Sequence, residues 1–439
     1  MSDNYVQNLS SMLKAETVSY VVQKDLSVFY SFRELLRDLF PGLFAVCDEE
    51  DYNGSMLLKW PGKNSRSPIL FMNHFDVVPP QQGWTHPPFC GEVYDGKLWG
   101  RGALDTKGGL WAMLQAADDL ASEGFIPESD IYFESSCNEE TTFAGADYYY
   151  NELKKRGIRF SFVLDEGGMI MYEPIGGAKG TFAMVGMGER GCSELLFTAK
   201  GSGGHASSPE YDTPLVRLGK FMAEADKTEL FKAELSPVIK EMFRRLSPSV
   251  SGPMKFVYSH PGLFEPVLKK FMPRTSGTAK ALLQTTIAFT MAQGSDGRHI
   301  IPSEAKVIGS MRVSHHQGFA DSLNAITALA GKYDISVEVL DPAVDTSLSD
   351  FKSSQFKIIE SAIEFAYDGV KAVPYIMTGC SDARFMANLT DNCFHFVPFI
   401  IDSQQLESIH GIDECVNVST LENAVLFYKY LMGGIYNER

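Results

Sequence analysis

Between residues 52 and 170 the apolar positions fall into two alternating kinds of run. Short, nearly unbroken ones ("SPILFMN", "DIYFESS" and "FSFVLDEGG") have the length and composition of strands buried on both faces. Between them, "GGLWAMLQAADDLASEG" sets Leu110, Met113, Leu114, Ala117 and Ala121 at helical spacing, and Gly124 is a fitting stop. "AGADYYYNELKKRG" reads as a second helix. Strands and helices alternating in this way predict right-handed βαβ units and a mainly parallel sheet.

Near residue 188 the pattern changes. "CSELLFTAKG" alternates like a strand, "PLVRLGKFMAEADK" is helical, and "LLQTTIAFTMAQG" and "EAKVIGSMRVS" are strand-like. The helix "DSLNAITALAGKY" and the strand "ISVEVLD" complete a βαββαβ order, an α+β module of ferredoxin-like type. A long, partly helical insertion, about 229–282, interrupts it. From about 343 the earlier style returns in "SSQFKIIESAIEFAY", and the chain closes on "STLENAVLFYKYLMGG". The expected division is one α/β domain made of residues 1–187 and 343–439, with a lid or dimerisation module, 188–342, inserted between its halves. A chain of 439 residues is too long for one compact core, which agrees.

The composition, 44% hydrophobic and 21% charged, is that of a soluble globular protein. With 39 Lys+Arg against 55 Asp+Glu, a net charge of −16 speaks against nucleic acid and against anionic membranes as partners. "MSDNYVQNLSSMLKAE" lacks the apolar core of a signal peptide, and no apolar run reaches the ~18 residues of a membrane span. Seven scattered cysteines without a CxxC pair predict reduced thiols and a cytoplasmic location. Any bound metal would therefore use His, Asp and Glu. "GMGERG", Gly186–Gly191, matches a dinucleotide fingerprint but is followed by a strand pattern instead of a helix, so it reads as an interdomain hinge.

Ligands of open α/β sheets sit at the carboxyl ends of the strands. Here those ends carry His74 and Asp76, then Glu139 and Glu140 of "NEE", then Asp165 and Glu166 of "LDEGG". Asp105 closes the glycine-rich "WGRGALDTKGG", and His410 lies far downstream in "SIHGIDECV". Any one of these alone would read as a satisfied polar residue or a helix cap. Together, two imidazoles and several carboxylates suit a pair of zinc-like ions that activate water.

The ordered motifs HxD, GRGxxDxKGG, NEE, D and HG resemble the M20 metallopeptidase family over nearly the whole chain. "NHFDVVP", "SDAR" and the long insertion look closest to its carboxypeptidase S branch. The resemblance implies Asp105 as a bridging ligand between two Zn2+ per chain, with Co2+ or Mn2+ as substitutes. His74 and Asp165 would complete one metal site, Glu140 and His410 the other. It also implies that Asp76 hydrogen-bonds the far nitrogen of His74 and that Glu139 is the general base. His205, in "GSGGHASSP", would reach the oxyanion, often from the other subunit of a homodimer formed through the lid. Arg312 and Arg384 would grip the substrate carboxylate, although a surface salt bridge competes as the role of Arg312. His299, where many relatives have Asn, would contact the oxyanion or substrate. The peptide between Asp105 and Thr106 is expected to be cis. The implied activity is hydrolysis of a peptide or N-acyl amide bond next to a free carboxylate, as in a carboxypeptidase of the S type. An N-acyl-amino-acid deacylase or dipeptidase shares the same metal site and is the alternative. A non-catalytic metal-binding protein would need a broken motif, and all of them are intact.

Overall fold

The computed structural model describes residues 3–433. The strands Ser129–Ser135, Asn64–Met72 and Phe162–Asp165 lie side by side and parallel at the centre of a 10-stranded mixed sheet, and Cys393–His395 extends the parallel set. Their unbroken apolar character follows from cover on both faces. Phe71 packs into the larger core with Leu110 and Trp111 of the helix Lys107–Ser122. Its neighbours Leu70 and Met72 point the other way, onto Tyr149 and Leu153 of the helix Ala144–Lys155. Gly108 and Gly109 allow the first of these helices to begin hard against the strand ends, because a Cβ at either would collide with the Ala103 carbonyl or with Asn73.

A second, four-stranded antiparallel sheet has the order Thr286–Gln293, Glu304–Val313, Gly191–Lys200, Ile335–Asp341. The helices Pro214–Lys227 and Gly318–Gly331 cover one face, and Phe197, Phe221, Ile326 and Leu329 form a core separate from that of the large sheet. Burial alternates residue by residue along Glu304–Val313, as a sheet covered on one side requires. The strand Thr181–Glu189 of the large sheet passes through Arg190 directly into Gly191–Lys200. "GMGERG" is thus a strand-to-strand passage with no helix N-terminus to hold a pyrophosphate.

The insertion folds into four helices, Pro237–Leu246, Pro253–Ser259, Glu265–Phe271 and Gly277–Leu283. Ser236 caps the first by accepting the Ile239 N–H at 3.3 Å, with Pro237 in the first turn. Although it lies within the module in sequence, its buried residues Ile239, Met242, Phe243 and Leu246 join the core of the large sheet. Arg245 donates to the Ala372 carbonyl at 3.0 Å and reinforces that attachment.

One expectation needs correction. Cys192 and Cys380 are paired as a disulfide, with Cα atoms 6.5 Å apart, while the other five cysteines are free. The strand Lys371–Met377 pairs with Thr181–Glu189, and this brings together cysteines 188 residues apart that no local spacing could link. Among the described residues no helix is long and apolar enough to cross a membrane. Gly434, at the end of the last expected helix, and Met1 and Ser2 of the N-terminal stretch lie outside the described residues.

Candidate metal centre

The carboxyl ends of the central strands and two loops converge on one cluster. The glycine-rich loop carrying Asp105 is held by Glu414, whose buried carboxylate accepts the backbone N–H groups of Leu104 and Asp105 at 2.8 and 3.0 Å and pairs with Arg101 at 2.7 Å. The Asp105–Thr106 peptide is cis. One oxygen of Asp105 faces Nε2 of His74 at 3.1 Å, and the other faces Nε2 of His410 at 3.0 Å. His410 Nε2 is also 3.0 Å from Glu140. Two sets of three ligand atoms therefore share Asp105: His74, Asp105 and Glu166 on one side, and Asp105, Glu140 and His410 on the other. Glu139 joins His74 and Glu140 in a third set, with its oxygen 3.9 Å from His74 Nε2.

Glu166 stands where Asp165 was expected. The Asp165 carboxylate is consumed elsewhere, accepting the Ser381 hydroxyl at 2.7 Å, the Ala383 N–H at 3.0 Å and the Glu166 N–H at 2.8 Å. The strand Phe162–Asp165 ends at Asp165, and the chain bends at Glu166, whose carboxylate reaches the cluster while that of Asp165 does not.

Asp76 differs in detail from its expected part. His74 Nδ1–H donates to the backbone carbonyl of Asp76 at 2.9 Å, and this fixes the tautomer that leaves Nε2 free toward Asp105. The Asp76 carboxylate lies 3.4 Å from that nitrogen. Its stronger contacts are the N–H groups of Glu139 and Glu140, both at 3.1 Å, and the Ser19 hydroxyl at 2.6 Å. Asp76 thus ties the His74 strand to the "NEE" turn.

The cluster is short of positive charge. Burial, then the charges of Asp382 and Glu140, push Glu139 well above the usual carboxylate range. Burial with Asp105 and Asp165 does the same to Glu166, and burial with Asp105 raises Glu140. Hydrogen bonds to Asp105 and Glu140 push His410 up to about 10. Imidazole nitrogens and crowded carboxylates with no thiolate are a donor set that fits zinc-like divalent ions, which would relieve this repulsion.

Arg384 is buried, its guanidinium 3.8 Å from the Phe143 ring centroid and its Nε without a partner. Arg312 turns its guanidinium to the sulfurs of Cys192 and Cys380. Burial lowers its pKa, with the like charge of Arg384 adding to the effect while Glu194 and Glu189 oppose it. The surface salt bridge considered for Arg312 is not formed among the described residues. His205 and His299 stay apart from the cluster. His205 is exposed, with Nδ1 accepting the Ser207 N–H at 3.1 Å, and the His299 carbonyl accepts the Ala206 N–H at 3.0 Å.

Beside the cluster opens a cavity of about 470 Å³ whose lining includes Asp105, Glu166 and His410. Its walls are apolar and rich in methionine: Met169, Met171, Met184 and Met377 from the large sheet and its loops, and Met242 and Leu282 from the insertion.

A sequence model described as peptidase family M20/M25/M40 matches residues 70–433. The protein described as "Probable carboxypeptidase S-like 2" of Dictyostelium discoideum is 30% identical, over 92% of this chain and 79% of its own. Human "N-fatty-acyl-amino acid synthase/hydrolase PM20D1" is 28% identical over 95% of this chain and 85% of its own. Among solved structures, the M20 family metallo-carboxypeptidase Sso-CP2 of Sulfolobus solfataricus superposes with a TM-score of 0.72 at 15% identity, covering 98% of this chain and 99% of that one.

Proposed function

This chain belongs to peptidase family M20/M25/M40 and is a metal-dependent hydrolase, and from that premise we propose that it cleaves the amide bond of an N-acyl amino acid carrying a long apolar acyl group. The cavity carries this reading. A methionine-lined space of about 470 Å³ opening on the cluster suits a flexible hydrocarbon chain better than a second amino acid. It moves the choice from the carboxypeptidase S type to the deacylase alternative, in keeping with the name of the human relative.

His74, Asp105 and Glu166 would hold one zinc ion, and Asp105, Glu140 and His410 the other. When bound, such a pair polarises the scissile carbonyl and lowers the pKa of water. Glu139, beside the cluster, takes a proton from the attacking water and delivers it to the amine as the C–N bond breaks, leaving a fatty acid and a free amino acid. Arg384 and Arg312 bind the carboxylate of the amino acid. His205, which belongs neither to the cluster nor to the cavity lining of its own chain, reaches the oxyanion of a partner subunit across a dimer built on the smaller sheet. That module, 188–342 without its insertion, acts as the lid, and 1–187 with 343–439 forms the catalytic domain.

The test is a substrate series on zinc-loaded protein: one amino acid N-acylated with acetyl, octanoyl and oleoyl groups, alongside N-blocked dipeptides. The expected result is a kcat/KM that climbs with chain length and exceeds that for the dipeptides. Equal or better hydrolysis of N-blocked dipeptides would return the carboxypeptidase reading.

A further inference from the structure

The insertion has two apolar faces, and the core and cavity account for only one. Inward, Met242 and Leu282 reach the cavity, while Tyr258 and Leu268 are buried in the large core. Outward, Met254, Phe256, Leu263, Val267 and Phe271 are 46%, 56%, 73%, 54% and 55% exposed. Leu263, Val267, Lys270 and Phe271 recur at helical spacing on one side of the helix Glu265–Phe271 and its lead-in. The Phe256 ring, 5.8 Å from that of Phe264, joins the preceding helix to the same patch. A helix at the surface of a soluble protein ordinarily turns polar residues outward, and a cluster of large exposed apolar side chains marks a contact surface.

Charge narrows the partner. The chain carries −16 overall, yet residues 253–280 hold Lys255, Lys269, Lys270, Arg274 and Lys280 against the single acid Glu265. Glu265 is itself engaged by Lys240 at 2.8 Å and Lys269 at 3.7 Å, and Arg274 pairs with Glu229 from outside the stretch. Among the described residues, no acid pairs with Lys255 or Lys270. Exposed aromatic and aliphatic side chains on the same two short helices as Lys255 and Lys270 form the side-chain set that inserts at the boundary of an anionic lipid layer.

We propose that the outer face of residues 253–271 is a docking surface for an anionic lipid layer. Its purpose rests on the long-acyl reading: the insertion that touches the layer also walls the cavity through Met242 and Leu282, and so sets the acyl-binding site beside the source of acyl chains. The local reversal of charge overrides the exclusion of membranes read from the whole chain.

Sedimentation with vesicles tests the docking without any substrate, so its failure and the failure of the hydrolysis reading are separately visible. The vesicles are phosphatidylcholine alone, or equal parts phosphatidylcholine and phosphatidylglycerol. Wild-type protein should pellet with the mixed vesicles and stay in solution with the neutral ones, and added salt should weaken the binding. L263S/F271S and K255E/K270E, all at exposed positions outside the catalytic machinery, should each bind about tenfold less, roughly the loss of one or two interfacial contacts. Both should hydrolyse a soluble N-acetyl substrate at the wild-type rate. Wild-type protein that ignores both vesicles, or variants that bind as well as wild type, would overturn the proposal. So would a dimer that becomes monomeric on L263S/F271S, since a second copy of the chain would then be what covers the patch.

Discussion

The carboxylate of Asp165 accepts the backbone N–H of its own neighbour, Glu166, at 2.8 Å, and the two side chains then part company. One turns to Ser381 and Ala383, the other to the cluster. Two adjacent acids thereby hold different jobs, and substitution separates them. Glu166→Gln should lower bound zinc from two equivalents toward one. Asp165→Asn should keep both ions but destabilise the fold by about 1–3 kcal/mol, because its amide would point at groups that need an acceptor. Elemental analysis and thermal melts distinguish the pair, and metal loss confined to the Asp165 variant would reverse the assignment.

Glu139 and Glu140 divide in the same manner. Glu139→Gln should keep both ions and lower kcat by roughly 10²–10⁴, the range for loss of a general base. Glu140→Gln should lose an ion. Turnover near wild type in the Glu139 variant would remove it from the mechanism.

How much of this was legible in the sequence depends on what each residue must do. Metal ligands are restricted to a few residue types at strand ends and loops, so His74, Asp105, Glu140 and His410 stood out, and the structure gathers them. Between Asp165 and Glu166 residue type says nothing; only the course of the chain beyond the strand Phe162–Asp165 decides. Glu414, which holds the Asp105 loop, is an acid among 55 Asp and Glu, and its spacing from Asp105 carries no signal. The insertion reads as partly helical, but a helix pattern does not say which of two cores it faces. The Cys192–Cys380 pair depends on the pairing of strands far apart in the chain.

The role given to His205 predicts complementation. His205→Ala and Glu139→Gln, each inactive alone, should regain activity when mixed under conditions that exchange subunits, since some mixed dimers then hold one complete site. A mixture that stays inactive despite demonstrated exchange would place the histidine outside the neighbouring site.

Met242 reaches the cavity from the insertion, so its bulk should set acyl-chain length. Met242→Trp should leave N-acetyl substrates nearly unaffected and shift the optimum to shorter chains. Each excluded methylene is worth about 0.8 kcal/mol, a factor of about four in kcat/KM. An unchanged chain-length profile would place the acyl group elsewhere.

A zinc titration tests most directly whether one carboxylate, Asp105, serves two metal ions. Calorimetry on chelator-stripped protein, with elemental analysis of the product, should show two equivalents bound by wild type. Asp105→Ala should bind neither ion tightly, because its oxygens face His74 at 3.1 Å and His410 at 3.0 Å, one in each set. A wild-type stoichiometry of one, or an Asp105→Ala protein that still takes up two ions with undiminished affinity, would contradict the shared-carboxylate site.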